Sequence, residues 1–322
     1  MLIFSSCSPA YVAQSAAGHA DLLIRRRSIA GALKDRRTPP ALRAQLETAQ
    51  SARGFAFERM GLQSSRDYSS YVMIDRPAVT WLVSASRRTS LEPYEWRFPL
   101  AGRFPYKGHF AKTRALAERD RLEGSGWDAC VSGAAAYNTP LPLSDPLPSS
   151  ALSLSTGALA ALLVHELSHG TLRSVDMSFN EAACEFLGRR GAEQYLAERF
   201  GGDSAELADY RRERAQDRAI DEAFLRLRAR LAALYAEPAA DAEKLARRQP
   251  IFDEAGTELR KLGVLLERLN NAVVTTHRVY HDDLPFAALL ERCGGDWRRF
   301  VAALKDLDSK RPAAALREAM SR

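Results

Sequence analysis

The sequence predicts a mixed α+β fold, mostly helical, with a small strand-rich region ahead of one particular helix. Apolar residues recur at helical spacing through most of the second half. Runs of β-branched and aromatic residues gather between about residues 68 and 140, and Pro, Gly and Ser clusters punctuate the joins. At 322 residues the chain can bury a sizeable core. The expected organisation is a short N-terminal segment, residues 1–20, followed by one domain over 21–322. That domain is strand-rich over about 68–140 and helical over about 156–322.

In chain order, Tyr11 to Ile29 has helical periodicity and includes the basic run Arg25-Arg26-Arg27. Pro39 and Pro40 sit where a new helix starts, Ala41 to Met60, with Leu42, Leu46, Ala49 and Phe57 on one face. Strands follow within Ser69 to Ser84 and from Tyr94 through Phe110, then a helix from Ala111 to Glu123 closed by Gly124-Ser125-Gly126. Trp127 to Asn138 reads as strand, turn and strand, with an edge able to hold an extended peptide by main-chain pairing. Thr139 to Ser155 is Pro- and Ser-rich, hence a loop. Beyond Glu185 the pattern gives helices over Gly191–Phe200, Ala205–Tyr235, Ala239–Arg248 and Phe252–Leu284. Their many charges at three- and four-residue spacing suit solvated packing faces.

Composition excludes several classes. The net charge of +6 is mild and reads as spread out, without the aromatic-interleaved basic stripe of a nucleic-acid binder. Cys7, Cys130, Cys184 and Cys293 are far apart and define no disulfide framework. Met1 to Ser8, MLIFSSCS, resembles the end of an apolar signal with small residues before a cysteine, although it is shorter than a complete signal. It is read as a truncated bacterial lipoprotein signal with Cys7 as the lipid-bearing residue.

The chemistry is concentrated in Ala161 to Gly170, ALLVHELSHG, and Phe179 to Leu187, FNEAACEFL. His165 and His169 are four residues apart, so on a helix both imidazoles face one metal ion. Glu166 lies about 100° round the helix axis, beside the ion, where a general base for a metal-activated water belongs. A catalytic site commonly has three protein ligands and one open position, and Glu181, twelve residues past His169, is the candidate third. Glu185, one turn on, can accept a hydrogen bond from the outer nitrogen of a ligating histidine. Cys184 reads as a small buried thiol rather than a soft ligand. The oxyanion that forms when water attacks a carbonyl needs a donor, for which Tyr280 is the first candidate and His277 the second. Asn270 and Asn271 are candidate buried hydrogen-bonders that tie their helix to the site.

H-E-L-S-H with a downstream N-E-A-A-C-E resembles the gluzincin zinc metallopeptidases. A wider set of stretches resembles one bacterial aminopeptidase family, many of them predicted lipoproteins. It includes SLEPYEWRFPLAGRFPYKGHF, AAAYNTPLPLSDPL, LVHELSHGTL, FNEAACEFLGRRGAEQYL and LNNAVVTTHRVYHDDLPFAALLERCGGD, which run in order over nearly the whole chain, together with Cys7. The resemblance implies a zincin-like fold, zinc held by His165, His169 and Glu181, Glu166 as base, and a periplasm-facing lipoprotein of the cell envelope. Two departures stand out. The family has cysteines at the positions of Arg97 and Arg103, able to bridge the FPLAG turn, and Asn138 with Pro140-Leu141-Pro142 replaces Ser and a Gly-aromatic pair.

The expectation is therefore a Zn2+-dependent peptidase, an aminopeptidase by resemblance, acting on peptide or protein substrates and tethered to a membrane by lipid on Cys7. Two rivals remain: an envelope endopeptidase, and a lipid-anchored zinc-binding scaffold that does not cleave. Oligomeric state is not legible in the residues.

Overall fold

Capping and breaking residues set most of the element boundaries. The computed structural model describes residues 9–98, 102–136, 143–172, 176–277 and 284–321. Its first elements are α1 (Pro9–Arg25), β1 (Arg27–Ser28), α2 (Ile29–Lys34) and α3 (Pro40–Glu58). The strand-rich part is β2 (Ser70–Val72), β3 (Thr80–Arg87), β4 (Trp96–Phe98), β5 (Gly102–Phe104), β6 (Lys107–His109), α4 (Lys112–Gly124), β7 (Trp127–Ala134) and β8 (Leu147–Pro148). A 3-10 turn (Ala151–Ser153) leads into α5 (Thr156–Thr171), α6 (Met177–Phe200), α7 (Ala205–Ala236), α8 (Asp241–Lys261) and α9 (Asn271–Thr276). The chain closes with α10 (Phe286–Arg292), α11 (Trp297–Lys305) and α12 (Pro312–Met320). The fold is mixed α+β, mostly helical, with small sheets. Among the described residues no helix is long and apolar enough to cross a membrane.

Several boundaries differ from the sequence expectation. The first helix stops at Arg25 because Arg27 and Ser28 pair antiparallel with Tyr71 and Ser70, and the Ser28 hydroxyl then caps α2 by accepting from Gly31 N at 3.2 Å. The loop before α5 contains β8, which pairs in parallel with β2 (Tyr71↔Leu147). The expected strand, turn and strand after Trp127 is one strand as far as Ala134. The helices expected over 179–187 and 191–200 are one helix, α6. Pro250 lies inside α8 and does not end it; the break comes at Gly263, whose φ of +82° suits glycine. Asn270 then caps α9 by accepting from Val273 N at 3.1 Å.

The chain divides into two compact units, Met1–Asp21 with Pro77–Ala135 and Glu213–Val279, and Leu22–Arg76 with Ala136–Arg212 and Tyr280–Arg322. In the first unit β3 is the centre of a β6-β3-β7 antiparallel sheet, with pairing from Thr80↔Ala134 to Arg87↔Trp127. Val83, Ala85, Trp96, Ala115, Leu122 and Ala129 form one apolar cluster there, and α7, α8 and α9 form another around Phe224, Leu227, Leu231 and Phe252. Buried Asp128 is held by Arg248 at 2.7 and 3.1 Å and accepts from Asn271 N at 3.1 Å. Asn270 Nδ2 donates to Ala129 O at 2.9 Å and Asn271 Nδ2 to Arg87 O at 2.9 Å. The two asparagines thus tie α9 to β3 and β7. Arg97 and Arg103 are directly opposed across the β4–β5 pair. In the second unit one large core surrounds α3, α5 and α6.

His109 on β6 is 5% exposed, with Nδ1 3.2 Å from Gln14 Nε2 and the ring edge-on to Tyr11 at 5.6 Å. Burial, then the Lys107 ammonium, pushes its pKa below the ordinary imidazole value. The folded chain therefore favours the neutral ring. The stability gained here is whole above the unfolded pKa of about 6.5 and is lost as the pH falls through the lower folded value. Urea unfolding followed from about pH 7.5 down to about pH 5 should show declining stability, with a shallower decline in His109→Gln.

Candidate metal centre

The site is built from two helices that the sequence caps and packs. Ser155 opens α5, its hydroxyl accepting from Ala158 N at 3.1 Å. Leu159, Leu163, Val164 and Leu167 are buried, which leaves His165, Glu166 and His169 on the half-buried side. Asp176 opens α6 by accepting from Phe179 N at 3.0 Å, and Ala183, Cys184 and Leu187 face the core. The two helices meet where α6 has no side chain. A Cβ on Gly188 would stand 2.8 Å from Ala161 O and 3.1 Å from His165 Cβ. Glycine at 188 therefore brings α6 against the backbone that carries the first histidine.

That approach gathers three ligand-type side chains. His165 Nε2 lies 3.2 Å from His169 Nε2 and 3.5 Å from Glu181 Oε2, and His169 Nε2 lies 3.7 Å from Glu181 Oε1. A tetrahedral ion with bonds of 2.0–2.2 Å requires ligand-to-ligand distances of about 3.3–3.6 Å. The two Nε2 atoms and the nearer Glu181 oxygen on each side are close to that spacing, and one ligand atom from each residue lies within 4.8 Å of the others. The three side chains are 17%, 23% and 29% exposed, so the cluster is open to a water or a substrate. The donor set, two imidazoles and a carboxylate, is compatible with zinc.

The outer hydrogen bonds set the tautomer of His169. Asn180 Nδ2 donates to Leu172 O, which leaves Asn180 Oδ1 as an acceptor 2.7 Å from His169 Nδ1. Nδ1 must then carry the proton and Nε2 the lone pair that faces Glu181. His165 Nδ1 makes no well-formed hydrogen bond, and Glu185 Oε2 at 3.4 Å is within electrostatic reach of it. The other Glu185 oxygen accepts from Arg189 Nε. Cys184 is fully buried beside the Nδ1 edge of His169, at 3.4 Å, on the far side of that ring from Glu181. Burial, reinforced by Glu181, Glu166 and Glu185, keeps its thiol protonated by raising its pKa well above the usual value.

Electrostatically the cluster calls for positive charge. Burial alone would lower the His165 pKa, but Glu181 and Glu185, with Glu166 behind them, push it up to about 10. Burial raises the Glu166 carboxyl, the two imidazoles oppose this, and Glu181 and Asp145 add to it. A proton on His165 is one way the chain offsets these carboxylates, alongside Arg189 on Glu185. A divalent ion between the Nε2 atoms would do the same and displace that proton.

Of the residues singled out in the sequence, the structure brings His165, Glu166, His169, Glu181 and Glu185 together. His277 belongs to the other unit, where it stacks on Phe224 at 3.9 Å with Nε2 2.8 Å from Asp221 Oδ1. Tyr280 and Cys7, like Asn138 and Pro140-Leu141-Pro142, lie outside the described residues. Two contributors were not foreseen. Asn180 immediately precedes the carboxylate ligand candidate, and Arg189 follows Glu185 by four residues, a spacing that signals an ion pair.

The fold and site together define a class: a mixed α+β protein carrying a candidate metal centre of two histidines and one glutamate. More particularly, the chain belongs to the Aminopep family, described as "Putative aminopeptidase", whose model matches residues 10–320. No curated protein and no solved structure matches it.

Two substitutions probe the geometry. Gly188→Ala should cost about 1–3 kcal/mol in denaturant unfolding, because helix backbone must shift, and should weaken metal binding in a chelator competition. Asn180→Ala should lower metal affinity by roughly 10–100-fold in the same competition, with little change in helix content by circular dichroism.

Proposed function

We propose that this protein is a zinc-dependent aminopeptidase of the bacterial envelope, anchored through lipid on Cys7. The observation that carries the catalytic part is the convergence of His165 Nε2, His169 Nε2 and the Glu181 carboxylate within reach of one ion, with a spare carboxylate, Glu166, beside them. Membership of a family named for aminopeptidases supplies the reaction class.

His165, His169 and Glu181 would hold the ion, which when bound acidifies a coordinated water and polarises the peptide carbonyl. Asn180 keeps His169 in the tautomer that presents Nε2, and Glu185 stands at the outer nitrogen of His165. The Glu166 carboxylate removes a proton from the attacking water and returns it to the nitrogen of the leaving amine. Glu166 is poised for both transfers because burial raises its proton affinity while the imidazoles restrain it. Tyr280, the first candidate from the sequence, is proposed as donor to the oxyanion. A scaffold that only held an ion would have no use for Glu166 in this place.

The test pairs metal analysis with kinetics on amino-acid amides and longer peptides. Wild type should bind one zinc per chain and release N-terminal residues. Glu166→Gln should keep the zinc and lose activity by a factor on the order of 10²–10⁴. Zinc bound without hydrolysis by either form would contradict the catalytic assignment, and cleavage confined to internal bonds would replace exopeptidase with endopeptidase action.

A further inference from the structure

The positive charge of this chain is not evenly distributed. Residues 22–76 hold eleven Arg and Lys against five Asp and Glu, a net +6, the same as that of the whole sequence. Arg25, Arg26, Arg27, Lys34, Arg36 and Arg37 are all exposed within this stretch. Among the large apolar side chains that the same compact unit displays to solvent, Ile24 is 83% exposed, Met73 50% and Leu143 41%.

Chain pairing and arginine contacts draw these groups to one edge of the β1-β2-β8 sheet. The Arg27↔Tyr71 register runs the end of α1 alongside the residues after β2. Arg25 Nη2 donates to Met73 O at 2.6 Å, and Arg26 Nη1 donates to Ser144 O at 3.0 Å, next to Leu143. Arg26, which bonds the Ser144 carbonyl through one nitrogen, has further N–H groups to offer a phosphate, and Arg27 beside it on β1 is exposed.

We infer that the edge formed by Ile24, Arg26, Arg27, Met73 and Leu143 docks on an anionic phospholipid bilayer. Arginine heads suit lipid phosphates, and apolar tips among them suit the boundary between headgroups and acyl chains. Nucleic acid would reward the charge but give the isoleucine, methionine and leucine nothing to bury against, and the exposed residues described on this edge include no aromatic ring for base stacking. The inference does not rest on the catalytic reading or on lipid at Cys7.

The test uses the full chain made as Cys7→Ser, so that no acyl group contributes, in sedimentation with vesicles of equimolar phosphatidylglycerol and phosphatidylcholine, or of phosphatidylcholine alone. The chain should bind the anionic vesicles, release in roughly 0.5 M salt, and bind the neutral ones at least about tenfold more weakly. Ile24→Ser with Met73→Ser, and separately Arg26→Glu with Arg27→Glu, should each weaken anionic binding about tenfold or more. Both variants should keep wild-type circular dichroism and zinc content, because the altered side chains are exposed. Glu166→Gln should bind vesicles like the parent, which separates this claim from catalysis. Failure to bind anionic vesicles, equal binding to neutral ones, undiminished binding by both double variants, or retention on an acidic protein column without vesicle binding would overturn it.

Discussion

The approach of α6 to α5 at Gly188 is the contact on which the site depends. Ligand-type atoms on two different helices reach one point only if the helix axes come close, and here the clearance is less than a methyl group. A bulkier residue would separate His165 from Glu181 and Glu185 together, since both carboxylates precede Gly188 on the same helix. The caps of α5 and α6 and the buried leucines between them serve the same end. They fix where each helix starts and how it is rotated, so that two imidazoles and a carboxylate face one another instead of the core.

Charge is the second constraint. Three glutamates and Asp145 influence a half-buried volume that holds, among the described residues, His165, if protonated, and Arg189 as cations. Such a concentration of carboxylate is unfavourable unless something positive sits among it. Arg189 engages the oxygen of Glu185 that does not face His165, and Asn180 gives His169 a neutral outer partner. The side turned toward the Nε2 atoms is thereby left with lone pairs and negative charge, the surroundings a divalent cation requires. Cys184, a soft donor nearby, is kept out by position and by its proton.

Much of this was legible in the sequence because the chemistry follows a short helical period. His165 and His169 four apart, and Glu181 and Glu185 four apart, specify facing sides of two helices without knowledge of the fold. The helix start near Pro40 is marked in the sequence by Pro39-Pro40, whereas Ser155 and Asn270 emerge as caps only in the structure. What failed did so where tertiary context overrides local signals. Pro250 does not interrupt α8, and Gly188 and Gly191 do not break α6 because they are contact points with α5 and Met60. The two-residue β1 and β8 exist only through pairing with β2 and leave no periodic trace. Asn180 and Arg189 escaped notice because a second partner is invisible until the first is placed in space. The clustering of basic charge was countable from the start, but its meaning required knowing that Met73 and Leu143 lie beside it.

The central claim is that one ion is shared by His165, His169 and Glu181 and by no sulfur. X-ray absorption at the zinc edge of the metal-loaded protein tests it directly. The account predicts a four-coordinate shell of nitrogen and oxygen at about 2.0–2.1 Å with the outer-ring scattering of two imidazoles. A sulfur shell at about 2.3 Å would place Cys184 on the metal, and a shell of oxygens without imidazole would place the ion elsewhere; either would contradict the assignment.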